Sequence, residues 1–175
     1  MKLLDCSLRD GGYYTNATAP LILITYAEAM FIKAEAAFLA NGGNETSVGS
    51  NSVAYEAYME GIAASMEKLG ADGTDYMTDT AVDVGESNLM LHHIMKEKYI
   101  ANYFNVETYN DFRRYNFSDN VFMGLELRLE GEDEDSEYTG QWYRRAIYPD
   151  SEQNSNEDVV NANWQEPTVD VWWAQ

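Results

Sequence analysis

At 175 residues the chain carries 30 Asp and Glu against 11 Lys and Arg, a formal charge of −19. Such a balance excludes a nucleic-acid surface, which needs clustered Lys and Arg, and repels an anionic lipid face. The length accommodates one domain with a proper core, the single Cys6 rules out an intrachain disulfide, and no apolar run approaches the roughly 18–20 residues of a membrane-spanning helix.

The opening residues, MKLLDCSLRDGG, lack the apolar core of a secretion signal, and Asp5 beside Cys6 argues against a lipidated cysteine. Arg9-Asp10-Gly11-Gly12 is a turn signal, and Asn16 to Pro20 reads as a linker into an extended segment through Leu21 and Ile24. Thr25 and Glu28 have capping-box spacing, so a helix starts there. It carries Ala27, Met30, Phe31, Ala34 and Phe38 on one apolar face and stops at Gly42-Gly43. The alanines on that face let a second helix approach closely.

After a polar loop, Asn44 to Asn51, Ser52 is placed to cap a second helix with Tyr55, Tyr58, Ile62, Met66 and Leu69 on one side, ending at Gly70. The two make an αα-hairpin. Residues 71–86 are acidic and punctuated by glycine, a loop with room for one helical turn. A third helix is predicted from about Ser87 to Asn105, with Leu91, Ile94, Ala101 and Phe104 inward, and a fourth and shortest from Glu107 to Arg114. Phe122 to Leu129 has the pattern of a strand or extended arm, and Glu130 to Glu137 is an acidic tip. From Gly140 onward polar turns alternate with aromatics, and a tail of that kind is expected to wrap over the helices. The fold class is therefore all-α, with tetratricopeptide-like helical hairpins and a long irregular C-terminal tail. No residue signature recurs between the helix pairs, so a regular array is not indicated.

Few groupings point to chemistry. Asp5 to Gly12, DCSLRDGG, resembles the opening motif of metal-dependent aldolases and lyases, in which Arg9 would stabilise an enolate and Asp10 would ligate a divalent metal. The rest of the chain does not follow: no strand–helix alternation builds a barrel, and His92 and His93 are adjacent rather than spaced as a metal pair. Neighbouring helical side chains diverge by about 100°, so the two histidines are not expected to share an ion. His93 and Glu97 have i,i+4 spacing, but two ligands fall short of a structural site. Asp133, Asp135 and Glu137, and likewise Asp72, Asp75 and Asp79, lack the spacing and central glycine of a calcium loop and read as solvated acidic loops. No serine sits in a nucleophile elbow and no phosphate-binding glycine run occurs. Neither a catalytic residue, a metal ligand nor a cofactor is assigned.

Arg113-Arg114 and Arg144-Arg145 supply four of the 11 bases and sit among Phe112, Tyr115, Trp142 and Tyr143. A planar guanidinium pairs with carboxylates while lying on aromatic faces, so these pairs are expected to lock the tail to the helices. Trp142, Tyr76 and Tyr138 offer ring faces on which a sugar can stack, although the sequence does not distinguish such a platform from tail packing.

Several blocks in order carry a further resemblance. LITYAEAMFIKAEAAF (Leu23–Phe38), AYEAYMEGIAASMEKLG (Ala54–Gly70) and IMKEKYIANYFNVETYNDFRRYNF (Ile94–Phe117), then GQWYRRAIYPDSEQNSN and NWQEPTVDVWW, resemble the later half of SusD/RagB-type nutrient-binding lipoproteins of Bacteroidota. The Val171-Trp172-Trp173 ending is similar to one subgroup of them. The resemblance implies an all-helical fold and a non-catalytic, surface-exposed, lipid-anchored outer-membrane protein. Such a protein captures oligosaccharide or peptide for import through a SusC-like TonB-dependent transporter. Residues 1–16 are expected to be a leader of uncertain origin and 17–175 a SusD-like C-terminal helical domain. No residue here matches a known binding position of that family, so the ligand-binding residues stay unassigned. A helical scaffold that binds another protein is the alternative.

Overall fold

The computed structural model describes residues 12–127 and 137–174. Cys6, Arg9, Asp10, Asp133 and Asp135, and the last two positions of the expected strand, lie outside the described residues. The described residues are helix, turn and irregular chain, with no strand among them, including 122–127. The chain forms two compact units, Met1–Tyr103 and Phe104–Gln175.

In the first unit, α1 (Tyr26–Ala40) opens at Thr25, whose hydroxyl accepts the Glu28 N–H at 3.1 Å. It closes where Gly42 turns left-handed (φ 85°) and the Gly43 N–H donates to the Phe38 carbonyl. The helix α2 (Ser52–Leu69) begins one residue earlier than expected in its cap. The Asn51 carboxamide, rather than the Ser52 hydroxyl, accepts the Ala54 N–H at 2.8 Å, and left-handed Gly70 ends the helix. A single turn, α3 (Thr74–Met77), and a 3-10 turn at Glu86–Asn88 lead to α4 (Leu91–Ala101). That helix is shorter at both ends than its periodicity predicts.

The faces that pack combine small residues with a few large ones. Ala27, Phe31, Ala34 and Phe38 of α1 and Ala54, Ala57, Tyr58 and Ile62 of α2 are buried, together with Gly61. The Phe31 ring lies so close to Gly61 that a Cβ there would meet it at 2.9 Å. Large residues assigned to these faces from spacing sit further out: Met30, Tyr55 and Met66 are half-buried, and Leu69 is 47% exposed. Close approach of two backbones selects alanine and glycine at the seam and pushes bulky side chains to its margins. On α1 and, less extensively, α2 packs α4, with Leu91, Ile94, Met95 and Ala101 buried. Its Lys98 pairs with Glu35 of α1 at 3.7 Å, both almost fully buried, and Lys68 of α2 donates to the Ala101 carbonyl at its end.

In the second unit, α5 (Glu107–Arg114) matches its expected bounds. Phe104, expected to point inward from a longer third helix, is instead 66% exposed with φ 65°, beyond the end of α4. The tail is less irregular than its sequence indicates, because α6 (Asp150–Ser155), α7 (Glu157–Asn163) and a 3-10 turn at Trp172–Ala174 interrupt it. These pieces are too short and too polar to show an apolar period, which is why spacing did not mark them.

Arginine holds this unit together. The Arg113 guanidinium lies between the rings of Tyr109 and Trp173, 4.5 and 4.6 Å from their centroids, and donates to the Arg144 carbonyl at 3.0 Å. Arg144 bonds Asp170 and the Asn116 carboxamide, and Arg145 donates to the Val169 and Asp170 carbonyls. Arg114 pairs with Asp111 on its own helix. Within the unit Arg113 and Arg144 thus tie the tail to α5 and its end, as expected, whereas Arg114 bonds within its own helix and Arg145 ties the tail to itself.

Two expectations follow. Gly61→Ala gains about 1 kcal/mol of helix propensity but forces a methyl against a ring with no free side, a strain of about 1–3 kcal/mol. Its thermal midpoint should fall, and the double variant with Phe31→Leu should lose less than the two single losses added together. A midpoint equal to or above that of the parent protein would contradict the close approach. Arg113→Lys keeps the charge but loses the planar fork between two rings, at about 1–2 kcal/mol for the two ring contacts. Unfolding followed by tryptophan fluorescence should show the loss.

Candidate functional site

The three rings weighed in the sequence between a sugar platform and packing have separate fates. Tyr76 belongs to the first unit, where its hydroxyl donates to both Glu97 oxygens at 3.0 and 2.9 Å. Burial and the Glu97 charge push its phenol pKa upward, and the side chain is half-buried, so it is a packing residue. Trp142 stacks face to face on buried Phe117, with ring centroids 4.7 Å apart and planes within 5°. One of its faces is thereby taken by the second unit's own core.

Tyr138 is the exception. Its hydroxyl donates to Oε2 of Glu166, while the indole N–H of Trp164 reaches Oε1 of the same carboxylate at 3.3 Å. A single carboxylate therefore holds the polar edges of two aromatic side chains from opposite ends of the tail. The bond to Glu166 raises the Tyr138 phenol to about 12, and the two donors hold the Glu166 carboxyl below its usual range. Tyr143 meets Tyr138 edge to face at 5.8 Å, and Tyr148 lies 6.3 Å from Trp164. Tyr143, Tyr148 and Trp164 are 47%, 37% and 37% exposed, enough to leave ring surface to a ligand. Rings whose edges are tethered present their faces at little loss of conformational freedom on binding, which suits an apolar sugar face.

Sequence spacing singled out Tyr138 but not Trp164 or Glu166 as part of such a cluster. Tyr138 and Glu166 lie 28 positions apart with no periodic signal to connect them, and only the Tyr-Glu-Trp bonding brings them together.

Several of the possible metal ligands are engaged within the fold. Rotation about Cα–Cβ brings the His92 and His93 rings to 3.9 Å, although helix geometry alone points them apart. Nδ1 of His93 accepts the Met90 N–H at 3.0 Å, and Glu97 is engaged by Tyr76 and Lys96. Asp72 accepts the Thr74 N–H and hydroxyl at the start of α3, which hold its carboxyl below the ordinary range. Asp79 accepts the Ala81 N–H. Among the described residues no three His, Cys, Asp or Glu gather as a metal site, and no helix is long and apolar enough to cross a membrane.

His93 also carries a pH expectation. Burial, then the neighbouring His92 and Lys96, depress it to about 4 from the ordinary 6.5. Below about 6.5 the unfolded chain binds a proton that the folded chain refuses, so stability falls with pH until about 4. His93→Gln keeps an acceptor for the Met90 N–H and does not titrate, so it should flatten the acid limb of stability in that window, measured by urea unfolding at stepped pH.

A family model described as "Starch-binding associating with outer membrane", of the SusD-like group, matches residues 6–159. Among solved structures, a SusD homolog from Bacteroides uniformis ATCC 8492 is similar over 89% of this chain and 37% of its own, at 23% identity and a TM-score of 0.60. A chitin-binding SusD homolog from Flavobacterium johnsoniae is similar over 85% of this chain and 36% of its own, at 22% identity and a TM-score of 0.56. At such identities the likeness is one of fold, and the chain spans little more than a third of either protein. No curated protein sequence matches.

Proposed function

The chain belongs to the SusD-like family, and on that premise we propose that it binds oligosaccharide without transforming it. The binding serves uptake at the outer-membrane surface through a SusC-like TonB-dependent partner. The observation that carries this reading is the Tyr138–Glu166–Trp164 cluster, with Tyr143 and Tyr148 beside it. Exposed aromatic faces fixed at their edges suit the apolar faces of sugar rings, and the ionised Glu166 favours hydroxyl donors. The net charge of −19 disfavours polyanionic ligands. The starch-binding description of the family and the chitin-binding relative agree in ligand class. The SusD-like region on this reading is 17–175, with the family match reaching back to residue 6.

A peptide ligand and a purely protein-binding scaffold remain the other readings. One observation favours a protein contact in addition to the glycan. Leu21, Leu23, Ile24 and Tyr26, at the entry to α1, are 90%, 85%, 64% and 59% exposed, a run of apolar surface that a transporter partner would cover.

Isothermal titration with malto- and chito-oligosaccharides tests the proposal. Binding by the unaltered chain, weakened at least about tenfold by Trp164→Ala, is expected, a loss of about 1.4 kcal/mol. No binding of either series, or binding indifferent to Trp164→Ala, would sink it.

A further inference from the structure

A second place in the molecule has the character of a ligand site and lies wholly within the Met1–Tyr103 unit. Where α1 ends and the chain approaches the Glu86–Asn88 turn, a groove of about 690 Å³ opens. Its side-chain polar groups are the Asn41 carboxamide, the Ser47, Ser50 and Ser87 hydroxyls and the Glu86 carboxylate; the Ser50 hydroxyl is buried with no partner, and no Lys or Arg lines the groove. An anionic ligand has nothing to pair with there. An apolar one finds little to cover it, since Val48 is the sole large apolar side chain in the lining.

The rest of the wall is bare backbone, because glycine is required there. A Cβ on Gly43 would run into the Phe38 ring at 2.4 Å, and Gly49, at φ 90°, has the Ser87 carbonyl 3.1 Å from where its Cβ would stand. The two sides are pinned by backbone bonds: Gly49 N–H donates to the Leu89 carbonyl and Ser50 N–H to the Glu86 carbonyl, both at 3.0 Å. The groove is therefore set before any ligand arrives. With those N–H groups already used, its charged group is an acceptor and its hydroxyls both give and take.

We propose that this groove is a second carbohydrate site, taking an uncharged stretch of glycan through its hydroxyl groups, with Glu86 as the principal acceptor. It rests on the reading of the chain as a glycan binder but differs in chemistry from the tail cluster. There the rings of a sugar are stacked; here its hydroxyls are bonded and no aromatic side chain lines the wall.

Amide chemical-shift mapping of the full chain with chitohexaose and with maltohexaose tests this. The expected result is perturbation of the Gly42, Gly49 and Ser87 amides by one of the two probes. It should persist in Trp164→Ala and weaken at least about threefold in apparent affinity in Glu86→Gln. Perturbation confined to the tail cluster would overturn the groove while leaving the general reading intact. Perturbation of the groove that ignores Glu86→Gln would overturn the assigned role of Glu86. No perturbation anywhere by either probe would overturn both.

Discussion

The seam between α1 and α2 is the constraint on which the first unit depends. Ala27 and Ala34 on one side and Ala54, Ala57 and Gly61 on the other let the helices close until the Phe31 ring lies over bare glycine. Phe31 and Tyr58 then meet at a tilt, with ring centroids 6.5 Å apart, and the Tyr58 hydroxyl reaches the Val82 carbonyl to hold the acidic loop. The same closeness fixes Phe38, against which Gly43 must turn, and so shapes one wall of the polar groove. α4 is laid on a surface that the seam has already defined.

Cations are scarce in this chain, and the structure uses several of them internally. Lys98 and Glu35 form a buried pair, Lys68 takes the last carbonyl of α4, and Arg113 sits between Tyr109 and Trp173. A buried pair is weak ground for stability, since the loss of hydration offsets much of its attraction. Its value here is geometric, because Lys98 and Glu35 meet in one register of α4 on α1. In the second unit the arginines add to an aromatic core around Phe117 and Phe122, joining a tail of short polar helices through ring faces and backbone carbonyls.

Carboxylates take the complementary part. Glu166 aligns Tyr138 and Trp164 by their polar edges, and Glu97 holds Tyr76. The same chemical pair, a tyrosine hydroxyl on a carboxylate, yields a half-buried brace in one place and a partly exposed platform in the other. What separates them is burial: Glu97 is 3% exposed, whereas Glu166 lies open.

The sequence by itself determined the helical class, the start and stop of α1, the end of α2, the bounds of α5 and the family. Each of these rests on contacts between residues a few positions apart, such as the Thr25 cap, Gly70 and the aromatic arginine pair on α5, or on ordered blocks of local pattern. Only the tertiary structure decided where the packed face of α2 is centred: Tyr58 and Ile62 are buried as the spacing indicates, while Tyr55, Met66 and Leu69 lie at its margin. Periodicity weighs large apolar residues alone, while the seam also buries Ala54, Ala57 and Gly61 and leaves Leu69 outside. It alone also decided the end of α4 before Phe104, the turn of the two histidine rings toward each other, and the split among Tyr76, Trp142 and Tyr138. Both candidate sites belong to this second group. Glu166 bonds Tyr138 from 28 positions away, and the groove joins Asn41 to Ser87. Such pairings leave no local period to read, because they exist only once the chain has closed on itself.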